Sequence, residues 1–228
     1  KKIKKKKKII KKMIDFESSR IDILKDNQTW VKFYRKIPDS IAIPMPGSDV
    51  FQQMWDERPI DQSVIKIMGK DVLTPRYQQT YGRDYLFAGV NNKSKPFESF
   101  PNDYLNKLLI WSNDHMKNNK FYGDESRKDL DLNGIVVNWY DEGHYIGPHS
   151  DKERQLVIDM PIYSFSFGWS RDFDLIPINK PKSFKTRVLL NHNSLIIMGG
   201  TCQKTHKHAI PKRKKSGKRI NITLRCFK

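Results

Sequence analysis

Cysteine is nearly absent from this chain: Cys202 and Cys226 are the two in 228 residues. Two cannot build a disulfide framework, and they lack the spacing of a thiolate zinc site, so the expected home is an intracellular, reducing compartment. No apolar run approaches the ~20 residues of a membrane-spanning helix, which leaves no membrane partner in view. No segment repeats at a fixed period. Acid is also scarce, with 25 Asp+Glu against 43 Lys+Arg and a net charge of +18. The chain opens on Lys1 rather than Met, so the lack of a targeting segment carries no weight.

Aromatics are plentiful by contrast. Hydrophobic residues make up a lean 37%, yet five Trp, nine Tyr and twelve Phe are too many for a disordered chain. The length fits one domain, 15–228, preceded by a basic, disordered tail, 1–14. That tail carries KKIKKKKKIIKK, nine lysines without an acid, which is half of the net charge. Such a block serves as a nucleic-acid arm, a nuclear-import patch or a solvated tail. A second cluster, KRKKSGKR from Lys212 to Arg219, sits among strands. Together the clusters point to a polyanionic partner.

From Asp15 to about Asp61 the pattern predicts a short helix and then an irregular segment. SVIKIMGKDVLT reads as two short strands around Met68-Gly69, a hairpin. PNDYLNKLLIWSNDHM places apolar residues at helical spacing after a proline. Beyond Asn133 come GIVVNWY, IYSFSFGW, FDLIPI, TRVLLNH, SLIIMGG and RINITLRCF, short β segments divided by Gly, Pro, Asn, Asp or Ser. Their spacing indicates a barrel, sandwich or jelly roll, with the helical N-terminal half packed on one sheet.

The stretch NWYDEGHYIGPHSDKE, residues 138–153, concentrates histidines and carboxylates. In an extended segment residues i and i+2 project to the same side, so His149 and Asp151 can converge on one ion. THKHAIP offers His206 and His208, which share a face by the same rule. Either completes the two-imidazole, one-carboxylate triad that holds non-haem Fe(II) and leaves coordination positions open. Alone, an H-x-D pair is usually a loop with a surface ion pair. RINITLR adds weight, because Arg219 and Arg225 share a strand face and are costly to bury without anionic partners. A dicarboxylate cosubstrate would satisfy both. Asn138 and Tyr140, again at i and i+2, would add neutral hydrogen bonds.

The ordered set NWY, HSD, HAIP and RINITLR resembles the AlkB family of Fe(II)- and 2-oxoglutarate-dependent dioxygenases, whose pattern is N-x-Y, H-x-D, a later His, then R-x5-R. The match runs from about Ser63 to the C-terminus, and TPRYQQTYG, YLFAG, DKER and SFSFGWSRDF resemble the branch that repairs alkylated duplex DNA. The resemblance implies a mainly β, α+β fold, a double-stranded β-helix (jelly-roll) core at about 133–228 with N-terminal helices on one sheet, and a nucleotide-recognition region at about 63–100. It implies Fe(II), 2-oxoglutarate and molecular oxygen, and oxidative demethylation of bases of the 1-methyladenine and 3-methylcytosine type.

Carried over, the resemblance makes His149, Asp151 and His208 the iron ligands, His208 being preferred to His206 for its H-x-x-P context. Arg219 would hold the distal carboxylate of 2-oxoglutarate and Arg225 the end near the metal, with Asn138 and Tyr140 assisting. Tyr85 and Phe87 would stack on a flipped base, with His149 opposite, Glu153 near the base edge and Arg76 also at the substrate. Met68, at the hairpin tip, takes the place of the residue that enters the stack. The two departures are the lysine tail and the polar residues around His206-Lys207. The expected partner is nucleic acid, duplex DNA before single strands or RNA, and the chain is expected to act as a monomer. The competing readings are an RNA demethylase, a protein hydroxylase of the same superfamily, and a non-catalytic basic nucleic-acid-binding jelly roll.

Overall fold

The computed structural model describes residues 16–26, 28–87 and 89–228. The lysine run of residues 1–12 lies outside them. The described residues open on a helical turn at 16–18, which leads into strands β1 (Arg20–Lys25) and β2 (Thr29–Tyr34), an antiparallel hairpin. This corrects the expectation of a helix followed by an irregular segment between Asp15 and Asp61. Helix α1 (Asp49–Asp56) comes after the irregular DSIAIPMPGS stretch, the reverse of the expected order. Ser48 caps it, its hydroxyl accepting from the Phe51 amide at 3.3 Å.

Next come five short strands: β3 (Val64–Ile67), β4 (Lys70–Leu73), β5 (Tyr77–Tyr81), β6 (Tyr85–Phe87) and β7 (Val90–Asn92). After them lie β8 (Ser94–Lys95) and α2 (Tyr104–Asn118), where the apolar periodicity predicted a helix. The remaining strands are β9 (Gly134–Tyr140), β10 (Ile146–His149), β11 (Ile162–Gly168), β12 (Arg171–Pro177), β13 (Thr186–Leu190) and β14 (Ser194–Gly200). A four-residue helix, α3 (Cys202–Thr205), leads to β15 (His206–Ile210), and β16 (Arg219–Arg225) ends the series.

Two sheets face each other, antiparallel throughout except for the parallel β5–β8 pair at one edge. The larger has eight strands in the order β1-β2-β14-β11-β16-β9-β5-β8, so four of its members precede residue 133. The smaller has four, β10-β15-β12-β13. The jelly-roll arrangement expected from the sequence is present, with helices on one face of the large sheet.

Alternation along each strand decides what faces what. In β16, Ile220, Ile222 and Leu224 join the core under the helices, packed with Phe51, Met54, Trp55, Leu105 and Leu108. Tyr163, Phe165 and Phe167 of β11 do the same, so the aromatic alternation of IYSFSFGW marks the helix-facing side. The Trp139 indole donates to Met54 O at 2.8 Å, fastening α1 to that side. The opposite parity of the same strands carries Asn138, Ser164, Arg219, Asn221, Thr223 and Arg225 into the gap between the sheets. A smaller apolar cluster of Val31, Phe33, Ile162, Ile196 and Met198 against Phe173, Leu175, Leu190 and Ile210 closes the rest of that gap. Among the described residues no helix is long and apolar enough to cross a membrane.

Candidate active site

Strand pairing brings the metal-ligand candidates together. β10 and β15 run antiparallel with His149 directly opposite His208, and their rings lie 4.2 Å apart between centroids. Asp151 follows two residues later, one carboxylate oxygen 3.6 Å from His149 Nε2. One ligand atom from each of His149, Asp151 and His208 falls within 4.8 Å of the others. His206, at the start of β15, turns elsewhere: its Nδ1 shares a hydrogen bond with the Thr205 hydroxyl at 2.9 Å.

The surroundings orient each donor. His149 Nδ1 lies 2.9 Å from Gly147 O, a contact that places the proton on Nδ1 and leaves the Nε2 lone pair for an ion. Asp151 Oδ2 accepts from Arg225 Nε at 2.9 Å and Nη2 at 2.7 Å, while Oδ1 is turned toward His149. The Asp151 amide donates to Gln203 Oε1 at 3.0 Å, and Ser150 donates to His206 O at 2.7 Å, so the loop is pinned on both sides. Phe173 lies nearly parallel to the His208 ring at 5.8 Å.

Burial works against charge on the imidazoles and is overruled on the carboxylate. Desolvation, with His149 alongside, pushes His208 down to about 3, and desolvation lowers His149 as well. Burial alone would raise the Asp151 carboxyl, but the Arg225 guanidinium beside it holds it well below the ordinary range. The set is therefore two neutral imidazoles and one carboxylate, the protonation state that binds a divalent cation.

Arg219 and Arg225, six residues apart on the inward parity of β16, both line the cavity. Arg219 donates from Nη2 to Ser166 at 2.9 Å, and its Nε and Nη1 are buried without a partner, as is Nη1 of Arg225. Desolvation, partly offset by Tyr140, lowers the Arg219 guanidinium to about 10. Tyr140 lies between two guanidiniums, with Arg219 5.0 Å and Arg171 5.8 Å from its ring. Asn138 accepts from Arg76 Nε at 2.8 Å. Unpartnered buried N–H groups beside a carboxylate-poor wall fit a dianion, and the donor set beside them fits Fe(II). The residues present therefore fit both iron and 2-oxoglutarate.

Of the residues assigned to substrate, Tyr85, Phe87 and Arg76 line the same cavity, whereas Glu153 lines a neighbouring one that shares Asp151 and Arg225 with it, and Met68 lies outside both. Phe87 is half-buried, 5.9 Å from Tyr85 in a near-parallel stack and 6.5 Å from His149 edge-on. Tyr85 is deeper, held by Phe227 at 5.7 Å and under Arg225 at 5.6 Å, so Phe87 is the more open of the two rings. Arg76 is buried, bonded to Gln78 at 2.9 Å and set 5.9 Å over Phe87. The half-buried Glu153 carboxyl is raised by desolvation and then by Asp151. Met68 is 98% exposed at the β3–β4 turn, in a separate two-stranded sheet.

Several residues of the site escaped the sequence reading. Asn221 and Thr223 share the parity of the two arginines, so alternation in RINITLR was the available signal. Gln78, Ser166 and Phe173 reach the site through strand pairing and Gln203 through the short helix α3, neither of which leaves a local trace. Arg171 is fully buried and donates from Nη2 to His144 O at 2.6 Å and Pro211 O at 2.9 Å, joining three segments around Tyr140.

A family model described as the 2OG-Fe(II) oxygenase superfamily matches residues 49–225. The DNA oxidative demethylase ALKBH2 of Homo sapiens is 33% identical over 172 residues, 71% of this chain and 60% of that protein. ALKBH2 of Arabidopsis thaliana is 28% identical over 209 residues, 77% of this chain and 62% of that protein. The alpha-ketoglutarate-dependent dioxygenase alkB homolog 3 of Bos taurus is 28% identical over 189 residues, 78% of this chain and 61% of that protein. The chain spans about three fifths of the length of these relatives.

Proposed function

The chain belongs to the 2OG-Fe(II) oxygenase superfamily, within its AlkB family, and from that premise we propose that it demethylates N-alkylated bases in DNA. The substrates are of the 1-methyladenine and 3-methylcytosine type, and the products are the restored base, formaldehyde, succinate and carbon dioxide. The observation that carries this reading is one cavity in which His149, Asp151 and His208 converge beside the unpartnered N–H groups of Arg219 and Arg225.

Fe(II) with 2-oxoglutarate and oxygen supplies the oxidising power, through decarboxylation of the cosubstrate. The chain's own residues position and select. His149, Asp151 and His208 would hold the metal. Arg219 would take the distal carboxylate, aided by Tyr140, Asn221 and Thr223. Arg225 keeps Asp151 ionised and aimed, and its remaining N–H serves the cosubstrate end near the metal. Phe87, with Tyr85 behind it and His149 across from it, would receive the ring of a flipped base. 1-Methyladenine and 3-methylcytosine are cationic and pair poorly, so they cost less to extract than intact bases and are attracted to aromatic faces and to Glu153.

Duplex DNA is the favoured form of the substrate. The exposed Met68 at a hairpin tip, flanked by Lys66 and Lys70, supports that choice, since extraction of a base leaves a gap that an apolar side chain can fill. The reading takes the chain to act as a monomer, in a reducing compartment. The two buried, free cysteines suit the latter. The test is base restoration on a panel of N-methylated oligonucleotides offered as duplex DNA, single-stranded DNA and RNA. Restoration should be fastest on duplex DNA; turnover confined to RNA, or on none, would overturn it.

A further inference from the structure

Outside the cavity, Trp169 has no part in the chemistry described. It sits in the turn from β11 to β12 and is 58% exposed, although an indole gains much from burial. Its position is nevertheless fixed. The Trp169 amide donates to Lys218 O at 3.0 Å. Gly217 presses on the ring so closely that a Cβ there would stand 2.2 Å from the indole nitrogen. Only glycine lets the loop of residues 212–218 lie against the indole.

That loop, KRKKSGK, carries five cations in seven residues. Lys212, Arg213, Lys214, Lys215 and Lys218 are all exposed. Arg213 donates to Ser170 O at 3.1 Å, the Lys218 ammonium rests 5.1 Å over Trp55, and among the described residues no carboxylate pairs with any of the five. A patch needing only positive charge has no use for an exposed indole held in place by glycine. An aromatic face within a cationic track is how proteins bind unpaired nucleic acid: cations follow the phosphates, and any base can stack.

We propose that Trp169 is a stacking platform for an unpaired nucleobase, with the 212–218 loop holding phosphates of the same strand. This rests on the nucleic-acid reading above and adds a contact distinct from the cavity. The test compares wild type, Trp169→Ala, Trp169→Phe and the double variant Lys214→Ala/Lys215→Ala. Each is titrated with a single-stranded oligonucleotide and with an abasic strand of equal length, which keeps the phosphates and lacks the bases. Trp169→Ala should lose about tenfold or more in affinity for the base-bearing strand and nothing on the abasic one. Trp169→Phe should recover most of that loss. The double lysine variant should weaken both strands alike and flatten their salt dependence. Equal effects of Trp169→Ala on the two strands, or none on either, would refute the platform. Wild-type protein that binds neither strand would also refute the platform, while the demethylation of duplex DNA stands or falls separately on the oligonucleotide panel above.

Discussion

Asp151 is a buried carboxylate whose two oxygens are used differently: one is committed to Arg225, the other faces the two imidazoles. A ligand set held this way is preformed, so a divalent ion stabilises the folded chain by mass action, about 2.7 kcal/mol at roughly a hundredfold excess over Kd. Thermal unfolding with and without added Mn(II), as a redox-quiet stand-in, should show a rise of several degrees for wild type and for His206→Ala. His208→Ala and Asp151→Ala should show none. A normal rise in His208→Ala with none in His206→Ala would move the ligand to His206. The sequence spacing left both histidines open, because i and i+2 have the same parity. What separates them is the register that sets His208 across from His149, and cross-strand register is not written in either strand alone.

At the scale of elements, β16 was legible in full: RINITLR alternates polar and apolar, and each parity found its own environment. β1 was not. RIDILK is a largely exposed edge strand, and its conformation comes from pairing with β2 rather than from an apolar pattern of its own. The β3–β4 hairpin was legible through Met68-Gly69, and both residues have positive φ, 50° and 78°, as a two-residue primed turn requires. Methionine is a poor choice there: a non-glycine left-handed residue costs roughly 1–2 kcal/mol. Asparagine tolerates that conformation far better. Met68→Asn should therefore keep or raise the melting temperature while lowering the duplex-to-single-strand ratio of turnover. A ratio unchanged by the substitution would mean that this tip does not enter the stack.

For the whole molecule, the +18 charge is shared between the lysine run of residues 1–12 and the rest of the chain. Each lost phosphate contact reduces the log–log salt slope of DNA binding by about one. Deleting residues 1–12 should weaken DNA binding and flatten its salt dependence, and an unchanged slope would make the run a bystander. The central claim is that one cavity couples cosubstrate oxidation to removal of a methyl group from DNA. Its most direct test is the ratio of formaldehyde to succinate released from Fe(II), 2-oxoglutarate and a duplex carrying one 3-methylcytosine. The account predicts a one-to-one ratio, with succinate falling sharply when the methylated duplex is replaced by an unmethylated one and vanishing in Asp151→Ala. Succinate formed at the same rate with or without the methylated base, and no formaldehyde, would contradict it.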